Sequence, residues 1–219
     1  MARVLIACEQ SQSVCLAMRA AGHEAWSCDI LPTLGPKPEW HIMGDVLEQL
    51  SNGWDCMVAF PPCTHLATSG ARHFAKKMED GRQAEAIAFF MAMVNAPIHH
   101  VAIENPVGIM SSHYKPPTQI IQPYYFGDEA QKTTCLWLKN MPLLYHNEAP
   151  NLFDNVVTHV GKGEFVYHSG KRKPKWYADA FNLPPKERAR VRSQTFHGIA
   201  QAMGEQWGRF LHEQIQKTQ

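Results

Sequence analysis

The fold is decided by the stretch Asp55-Cys56-Met57-Val58-Ala59-Phe60-Pro61-Pro62-Cys63-Thr64. Four apolar residues, from Met57 to Phe60, predict a short buried strand. Two prolines then end that strand, because neither has a backbone N–H to donate and both fix φ. Cys63 therefore follows a rigid turn at the end of a core strand, where open α/β sheets hold their ligands. Its thiol is either a nucleophile or, like most cysteines, a small side chain that fills space in the core.

Strand-like and helix-like segments alternate on both sides of this stretch. In order they are a strand at 4–7, a helix at 13–21, a strand at 24–28, a short strand at 42–43, the strand at 57–60, a helix at 82–95 and a strand at 101–103. Ser11 or Ser13 can cap the first helix, and Gly22 can end it. This order predicts a doubly wound, mostly parallel sheet.

Polar side chains follow five of the predicted strands, and they are Glu9, Asp29, Asp45, Cys63 and Glu104. The carboxyl ends of parallel strands meet at one edge of a sheet, so these side chains are expected to gather there. An acidic residue at the end of the second strand commonly hydrogen-bonds the ribose of a nucleoside-containing cofactor, which is the role expected of Asp29. Each acid taken singly is also explained as a helix cap or a solvated turn residue.

Beyond Pro106 the pattern changes. Residues 119–126 and 133–138 predict two further strands, and residues 139–195, rich in proline, predict irregular structure. An amphipathic terminal helix is predicted by apolar residues at helical spacing, namely Ile199, Met203, Trp207, Phe210, Leu211 and Ile215. The predicted organisation is an α/β core at 1–138, an irregular basic segment at 139–195 and a C-terminal helix at 196–219 that packs back on the core.

Charge is unevenly distributed along the chain. The whole sequence has a net charge of +1, but residues 161–192 contain nine basic and three acidic residues, a net charge of +6. Tyr167, Trp176 and Tyr177 are interleaved with the basic residues. A nucleic-acid-binding surface typically combines cations, which contact phosphates, with aromatic rings, which stack on bases. The alternative is a solvated surface loop.

Composition restricts the class of protein. The chain has 219 residues, of which 45% are hydrophobic and 19% charged, as in an ordinary globular domain. No apolar run approaches the length of a membrane span, which argues against a membrane partner. The six cysteines include no close CxxC pair, so the sequence predicts neither a zinc site nor a disulfide framework. Free thiols in a reducing cytoplasm are expected.

Several motifs together resemble the DNA cytosine-5 methyltransferases, and more closely the short members encoded by phages and prophages. The signature pair is Pro61-Pro62-Cys63 after one apolar strand and Glu104-Asn105 after the next. The further matching blocks are Ala7-Cys8-Glu9, Gly22-His23 with Cys28-Asp29, Gly44-Asp45-Val46, Pro106-Val107-Gly108 and Lys132-Thr133-Thr134-Cys135-Leu136-Trp137-Leu138. The resemblance covers most of residues 3–145, together with the terminal helix.

The resemblance implies a fold and an activity. The fold is the sheet of S-adenosylmethionine-dependent methyltransferases, with a small basic insertion near the C-terminus. The activity is methylation of carbon 5 of cytosine in DNA, in which the Cys63 thiolate adds to carbon 6 while Glu104 hydrogen-bonds or protonates the ring. The base must be flipped or already unpaired, so single-stranded or distorted DNA is the expected partner. For a phage-encoded protein, the setting is the cytoplasm of the bacterial host.

The resemblance also implies two sets of binding residues. Contacts with S-adenosylmethionine are expected from Ala7, Cys8, Glu9, Asp29, Asp45 and Pro61. Contacts with the substrate are expected from Pro62, Thr64, Asn105, Lys132, Thr134, Lys171, Arg172, Lys173, Lys175 and Trp176.

The sequence departs from the family pattern in three places. The first loop, at 7–13, contains no glycine, whereas the family's loop is rich in Phe and Gly. Lys132 and Thr134 stand where arginines are typical of the family. The 139–195 segment is much shorter than the usual target-recognition domain.

Two other functions stay open. One is a thymidylate synthase-like or other pyrimidine-modifying enzyme, which the β–α–β order disfavours. The other is a non-catalytic protein of the same fold that binds nucleic acid or a protein, which the glycine-free loop favours.

Overall fold

The computed structural model describes residues 1–68, 74–149 and 157–218, and the chain divides into two compact units. Unit 1 comprises Met1–Ile121, Thr133–Leu144 and Met203–Gln219, and unit 2 comprises Gln122–Lys132 and Tyr145–Ala202. Three parts of the sequence predictions, residues 69–73 of the α/β core, residues 150–156 of the irregular segment and residue 219 of the terminal helix, lie outside the described residues.

The regular elements alternate at first between strands and helices, as predicted. They are β1 (Arg3–Ala7), α1 (Ser13–Ala20), β2 (Glu24–Asp29), β3 (His41–Met43), β4 (Cys56–Ala59), α2 (Phe74–Glu79), α3 (Arg82–Val94), β5 (His100–Pro106), α4 (Met110–His113), β6 (Gln119–Ile121), β7 (Thr134–Lys139), β8 (Phe165–His168), β9 (Lys171–Pro174), α5 (Lys175–Asp179), α6 (Pro185–Ser193), α7 (His197–Ala202) and α8 (Gly208–Thr218). A π-helical turn, Met203–Trp207, joins the last two helices.

Unit 1 is built on a seven-stranded sheet with the strand order β3-β2-β1-β4-β5-β7-β6. Neighbouring strands from β3 to β5 are parallel, and β7 runs antiparallel to both β5 and β6. A doubly wound sheet with this order and one reversed strand matches a methyltransferase-like fold. The fold class predicted from the sequence is therefore confirmed.

The central strands are apolar because helices cover both faces of a parallel sheet. All four residues of β4 are buried, as are Val4 to Ala7 of β1. Near the C-terminus the π-helical turn approaches α1 so closely that a Cβ on Gly204 would collide with Ala17. The His212 ring of α8 stacks on His23 with 4.1 Å between centroids. The C-terminal segment of unit 1 thus packs against the first helix.

Three local predictions differ from the structure in their bounds or details. The segment predicted as one strand at 119–126 is a strand only at Gln119–Ile121, because Pro123 lacks an N–H and starts a 3₁₀ turn, Pro123–Phe126. The strand predicted at 101–103 continues to Pro106, since β7 pairs with it along that length. The N-cap residue of α1 is Gln12, and the Ser11 hydroxyl, one residue earlier, accepts the N–H of Ser13 at 3.3 Å. Gly22, with φ +86°, follows the helix as predicted.

The segment predicted to be irregular contains regular structure. β8 and β9 form an antiparallel hairpin, and α5 and α6 follow it. The hairpin turns at Ser169 and Gly170, both at positive φ (52° and 72°), which is the backbone of a two-residue hairpin turn. Pro185 occupies the first turn of α6, where a missing N–H costs nothing.

Unit 2 has its own packed cluster of rings. The Tyr125 ring stacks on His146 and His159, with centroid distances of 4.4 and 4.6 Å. Nδ1 of His146 lies 2.9 Å from Nε2 of His159, within hydrogen-bond distance. Across the described parts of both units, no helix is long and apolar enough to span a membrane.

Candidate active site

The carboxyl edge of the unit 1 sheet collects the polar residues that follow its strands. The parallel register aligns Ala7 at the end of β1 with Cys28 on β2 and with Ala59 on β4. Asp29 ends β2 and is paired with Met43, which ends β3 two residues before Asp45. The predicted cofactor residues of the first three strands therefore share one edge.

The first loop adopts backbone conformations that usually need glycine. Cys8 and Gln12 have φ values of 58° and 62°. A non-glycine residue in this left-handed region costs roughly 1 kcal/mol, so the loop must be held by other contacts. The loop therefore adopts, without glycine, two positive φ values of the kind that glycine adopts most easily.

Gln12 supplies part of that support. Its side chain is fully buried, donates from Nε2 to the Lys37 carbonyl (2.7 Å) and accepts at Oε1 from the Lys37 N–H (3.0 Å). Gly35 lies so close that a Cβ there would collide with the Gln12 side chain. The Gln12 amide thus binds the first loop to the segment after β2, and Gln10 adds hydrogen bonds to the same segment. Sequence reasoning missed Gln12, because its partner lies 25 residues away.

Glu9 supplies further support for the first loop. Its carboxylate is only 4% exposed and accepts hydrogen bonds from the N–H groups of Val14 (2.7 Å) and Cys15 (3.1 Å). It therefore binds the first turn of α1, together with the Ser11 hydroxyl, which accepts the Ser13 N–H. Burial raises the pKa of Glu9 to about 7, against the opposing effect of these hydrogen bonds. Contact with a cofactor stays a prediction for Glu9.

Asp29 and Asp45 place negative charge beside Cys8. Burial, followed by the charge of Asp29, Cys28 and Asp45, raises the pKa of the Cys8 thiol far above its ordinary value. Each aspartate also accepts a local backbone N–H: Oδ1 of Asp29 from Leu31, and Oδ1 of Asp45 from Leu47, both at 2.9 Å. These bonds orient the carboxylates at the strand ends.

The Pro61-Pro62-Cys63 loop is joined directly to the Glu104-Asn105 segment. Nδ2 of Asn105 donates to the Pro61 carbonyl at 2.8 Å, and Asn105 is 2% exposed. The register explains the contact, since Ala59 pairs with Ile103, and Pro61 and Asn105 each lie two residues beyond that last pair. Cys63 is half-buried, and its carbonyl accepts the N–H groups of Leu66 (3.0 Å) and Ala67 (2.9 Å).

Backbone hydrogen bonds extend this junction. Ile109 N–H donates to the Leu66 carbonyl, and Thr68 N–H donates to the Val107 carbonyl, both at 3.0 Å. Gly108 makes the approach possible, because a Cβ there would collide with the Leu66 carbonyl oxygen. Sequence reasoning included Gly108 only as part of a motif block, and the structure gives it a packing role.

Lys77 is a second residue that sequence reasoning missed. It lies on α2, is 7% exposed, and donates from Nζ to the Thr64 carbonyl at 2.6 Å. A buried ammonium group thus holds the residue that follows Cys63. The neighbouring Lys76 is exposed. Only the full tertiary contact distinguishes the two lysines.

The block at 132–138 is divided between the two units. Thr134 is buried in β7 of unit 1 and pairs with Pro106. Burial, followed by the charge of Glu104, raises the pKa of the adjacent Cys135 thiol to about 11, which places Glu104 near it. Lys132 belongs to unit 2, where its Nζ donates to the Gln194 carbonyl at 3.2 Å.

The predicted basic substrate residues lie on and beside the β8–β9 hairpin of unit 2. Lys171 and Arg172 are exposed, and Lys173 is half-buried. Lys175, also exposed, forms a salt bridge with Asp179 at 2.6 Å. Trp176 is half-buried, and its indole N–H donates to the Gln131 carbonyl at 3.3 Å. The structure therefore groups these residues in unit 2, and the strand-end residues in unit 1.

Comparison with solved structures finds a similar chain from E. coli, described as a candidate DNA modification methyltransferase encoded within a prophage. The two chains are 14% identical with a TM-score of 0.45, and the match covers 72% of this chain and 53% of the other. This chain thus spans about half the length of that protein. No protein-family model and no curated protein matches the chain. The fold assignment stands on the strand order itself.

Proposed function

We propose that this chain is an S-adenosylmethionine-dependent methyltransferase that acts on carbon 5 of cytosine in DNA, with Cys63 as the nucleophile. The observation that carries the proposal is the hydrogen bond from Asn105 to the Pro61 carbonyl. It joins the loop that bears the thiol to the strand that bears Glu104. A nucleophile and an acid are thereby supported by one network at the carboxyl edge of the sheet, where such folds hold ligands.

The chemistry requires both groups. Carbon 5 of cytosine is a weak nucleophile until a thiolate adds to carbon 6, and Cys63 performs that addition. Glu104 hydrogen-bonds or protonates the ring nitrogen as negative charge develops there. The methyl group that the bound cofactor would supply would then pass to carbon 5, as its bond to the sulfonium sulfur breaks and the neutral thioether leaves as the second product. Loss of the proton from carbon 5 to a base and cleavage of the bond between carbon 6 and the Cys63 sulfur release the product.

The residues at the ends of β1, β2 and β3 fit S-adenosylmethionine. The carboxylates of Asp29 and Asp45 suit ribose hydroxyls and a cationic ligand, and the positive φ of Cys8 gives the first loop the backbone of a glycine-rich one. Ala7, Glu9 and Pro61 complete the proposed set. The bound cofactor supplies an electrophilic methyl group on a sulfonium.

The proposed substrate residues of unit 1 are Pro62, Thr64, Asn105 and Thr134. Those of unit 2 are Lys132 and the basic residues on and beside the β8–β9 hairpin, namely Lys171, Arg172, Lys173 and Lys175. Single-stranded or distorted DNA is the proposed substrate, because a base inside an intact duplex hides carbon 6. The β–α–β order of unit 1 argues against the thymidylate synthase-like alternative.

The test is methyl transfer from radiolabelled S-adenosylmethionine to DNA, followed by nucleoside analysis. Wild type is expected to produce 5-methylcytosine, and Cys63→Ser to produce none while keeping its thermal unfolding midpoint. Label on another base, or equal activity in Cys63→Ser, would contradict the proposal. Binding of the cofactor without turnover on any DNA would favour the non-catalytic alternative.

A further inference from the structure

The β8–β9 hairpin of unit 2 has two different faces. Its register pairs Phe165 with Pro174 and Tyr167 with Arg172. Side chains alternate across a strand, so these four residues share one face and the residues between them form the other. The two faces meet different surroundings.

The second face is covered by the chain that follows the hairpin. The His168 ring stacks on Phe181 with 4.9 Å between centroids, and Nζ of Lys173 lies 4.8 Å from the centroid of the same ring. Phe181 belongs to the 3₁₀ turn Ala180–Asn182 after α5. A backbone hydrogen bond from Lys175 to the Glu164 carbonyl, 2.8 Å long, closes the base of the hairpin. These contacts hold the hairpin against the chain segment that follows it.

The first face is open at its end nearest the turn, whereas Phe165 and Pro174 at its base are half-buried. Tyr167 is 83% exposed, and Arg172 opposite it is also exposed. The guanidinium of Arg172 lies 4.3 Å from the centroid of the Phe165 ring, which holds the cation beside Tyr167. Among the described residues, no carboxylate lies within salt-bridge distance of Arg172. An aromatic ring and a cation are thus presented side by side to solvent.

The charge around this face suits a polyanion. Residues 162–175 contain five basic residues and one acidic residue. Base stacking on an exposed aromatic ring, combined with backbone phosphates on neighbouring cations, is how proteins bind single-stranded nucleic acid without sequence preference. A duplex offers phosphates but few free base faces. The combination therefore favours a single strand.

We propose that the open face of the β8–β9 hairpin binds single-stranded DNA, with an unpaired base stacked on Tyr167 and a neighbouring phosphate on Arg172. The stacking residue is Tyr167 rather than Trp176, whose indole is packed within unit 2. This inference deepens the proposed function and depends on it only in taking DNA as the substrate.

The experiment is fluorescence anisotropy with a labelled single-stranded oligonucleotide, using the full chain with Cys63→Ser and no cofactor, so that no methylation occurs. In this background Tyr167→Ala is expected to weaken binding by about ten- to a hundredfold. Tyr167→Phe keeps the ring and should stay within about twofold. Tyr145→Ala, which removes an exposed tyrosine of unit 2 outside the hairpin, should leave affinity unchanged.

Two further measurements separate stacking from charge. Arg172→Gln should reduce the slope of log affinity against log salt by about 0.7, the value for one phosphate of a single strand. An oligonucleotide of abasic residues should bind wild type and Tyr167→Ala equally. Circular dichroism would show that the surface variants keep the fold.

Binding of Tyr167→Ala that equals wild type would overturn the inference, as would an equal loss in Tyr145→Ala or no binding of DNA at all. The two proposals fail separately. A chain that binds single strands through Tyr167 but methylates nothing loses the proposed function alone. A chain that methylates cytosine with full affinity in Tyr167→Ala loses this inference alone.

Discussion

The carboxyl edge of the unit 1 sheet and the β8–β9 hairpin of unit 2 both carry proposed site residues, but they are held in different ways. At the sheet edge, buried polar groups such as Asn105 and Gln12 bind backbone atoms of neighbouring loops. On the hairpin, exposed Arg172 lies over an aromatic ring. Breaking a buried hydrogen bond leaves an unsatisfied partner at a cost of about 1–3 kcal/mol, whereas an exposed cation–π contact contributes about 0.5–1 kcal/mol. Substitutions at the sheet edge should therefore change the free energy of unfolding, whereas substitutions on the hairpin should change only the affinity for DNA.

The largest expected effect concerns Glu9 and pH. Burial raises its pKa from 4.5 to about 7, so the unfolded chain loses this proton at lower pH than the folded chain. The contribution of Glu9 to stability is complete below about pH 4.5 and is lost as pH rises through about 7. Relative to Glu9→Gln, wild type should lose on the order of 3 kcal/mol of unfolding free energy across that range.

Urea unfolding at a series of pH values would measure this difference. Glu48→Gln, which removes an exposed carboxylate, should follow wild type at every pH. A wild-type curve parallel to that of Glu9→Gln would show that Glu9 has no raised pKa in the folded state.

The next effect concerns Gly108. In Gly108→Ala the new methyl group would collide with the Leu66 carbonyl, so the loops that bear Cys63 and Asn105 must separate. We expect a loss of roughly 1–3 kcal/mol in unfolding free energy and a loss of methyl transfer. Gly161→Ala adds a methyl group with no atom within 4 Å and should change neither quantity. Normal activity in Gly108→Ala would show that the junction between the loops is unimportant.

Lys77 allows a matched pair of variants. Lys77→Met removes the ammonium that donates to the Thr64 carbonyl, which should lower stability by about 1–2 kcal/mol and slow methyl transfer. Lys76→Met changes an exposed lysine on the same helix and should stay within about 0.5 kcal/mol of wild type. Denaturant unfolding and initial rates measured on both variants decide the point. Equal behaviour of the two would remove the role assigned to Lys77.

The smallest expected effect is on the hairpin. Arg172→Gln and Lys171→Gln should each change the unfolding free energy by less than about 1 kcal/mol, because both side chains are exposed. A larger loss in either variant would mean that the hairpin cations support the fold of unit 2, and the contrast between the two regions would fail. Thermal unfolding of both variants measures this directly.

Much of the sheet edge could be predicted from the sequence, since apolar runs, prolines and terminal acids mark strand ends locally. The support of the first loop could not. The left-handed backbone at Gln12 is supported by hydrogen bonds between its side chain and the Lys37 backbone. The buried position of the Glu9 carboxylate is supported by hydrogen bonds from N–H groups at the start of α1. Neither partner is adjacent in sequence, and a glycine-free loop gave no sign of its positive φ values.

The hairpin was missed for a different reason. Lys171-Arg172-Lys173 has the composition of a solvated loop, and nothing in it favours a strand. The turn at Ser169-Gly170 and the cover that Phe181 provides make it a strand. The charge pattern marks this region as a candidate nucleic-acid surface, which stays a prediction, and only the fold shows which of its side chains are exposed and which are packed.

The central claim is that Cys63 adds to carbon 6 of cytosine, and covalent trapping tests it most directly. DNA that contains 5-fluorocytosine should form an adduct with wild type in the presence of S-adenosylmethionine, because fluorine cannot leave carbon 5 as a proton does. Mass spectrometry should locate the adduct on Cys63, Cys63→Ser should form none, and Cys56→Ala, which removes a buried thiol, should form it normally. An adduct on another residue, or one of equal yield from Cys63→Ser, would contradict the account.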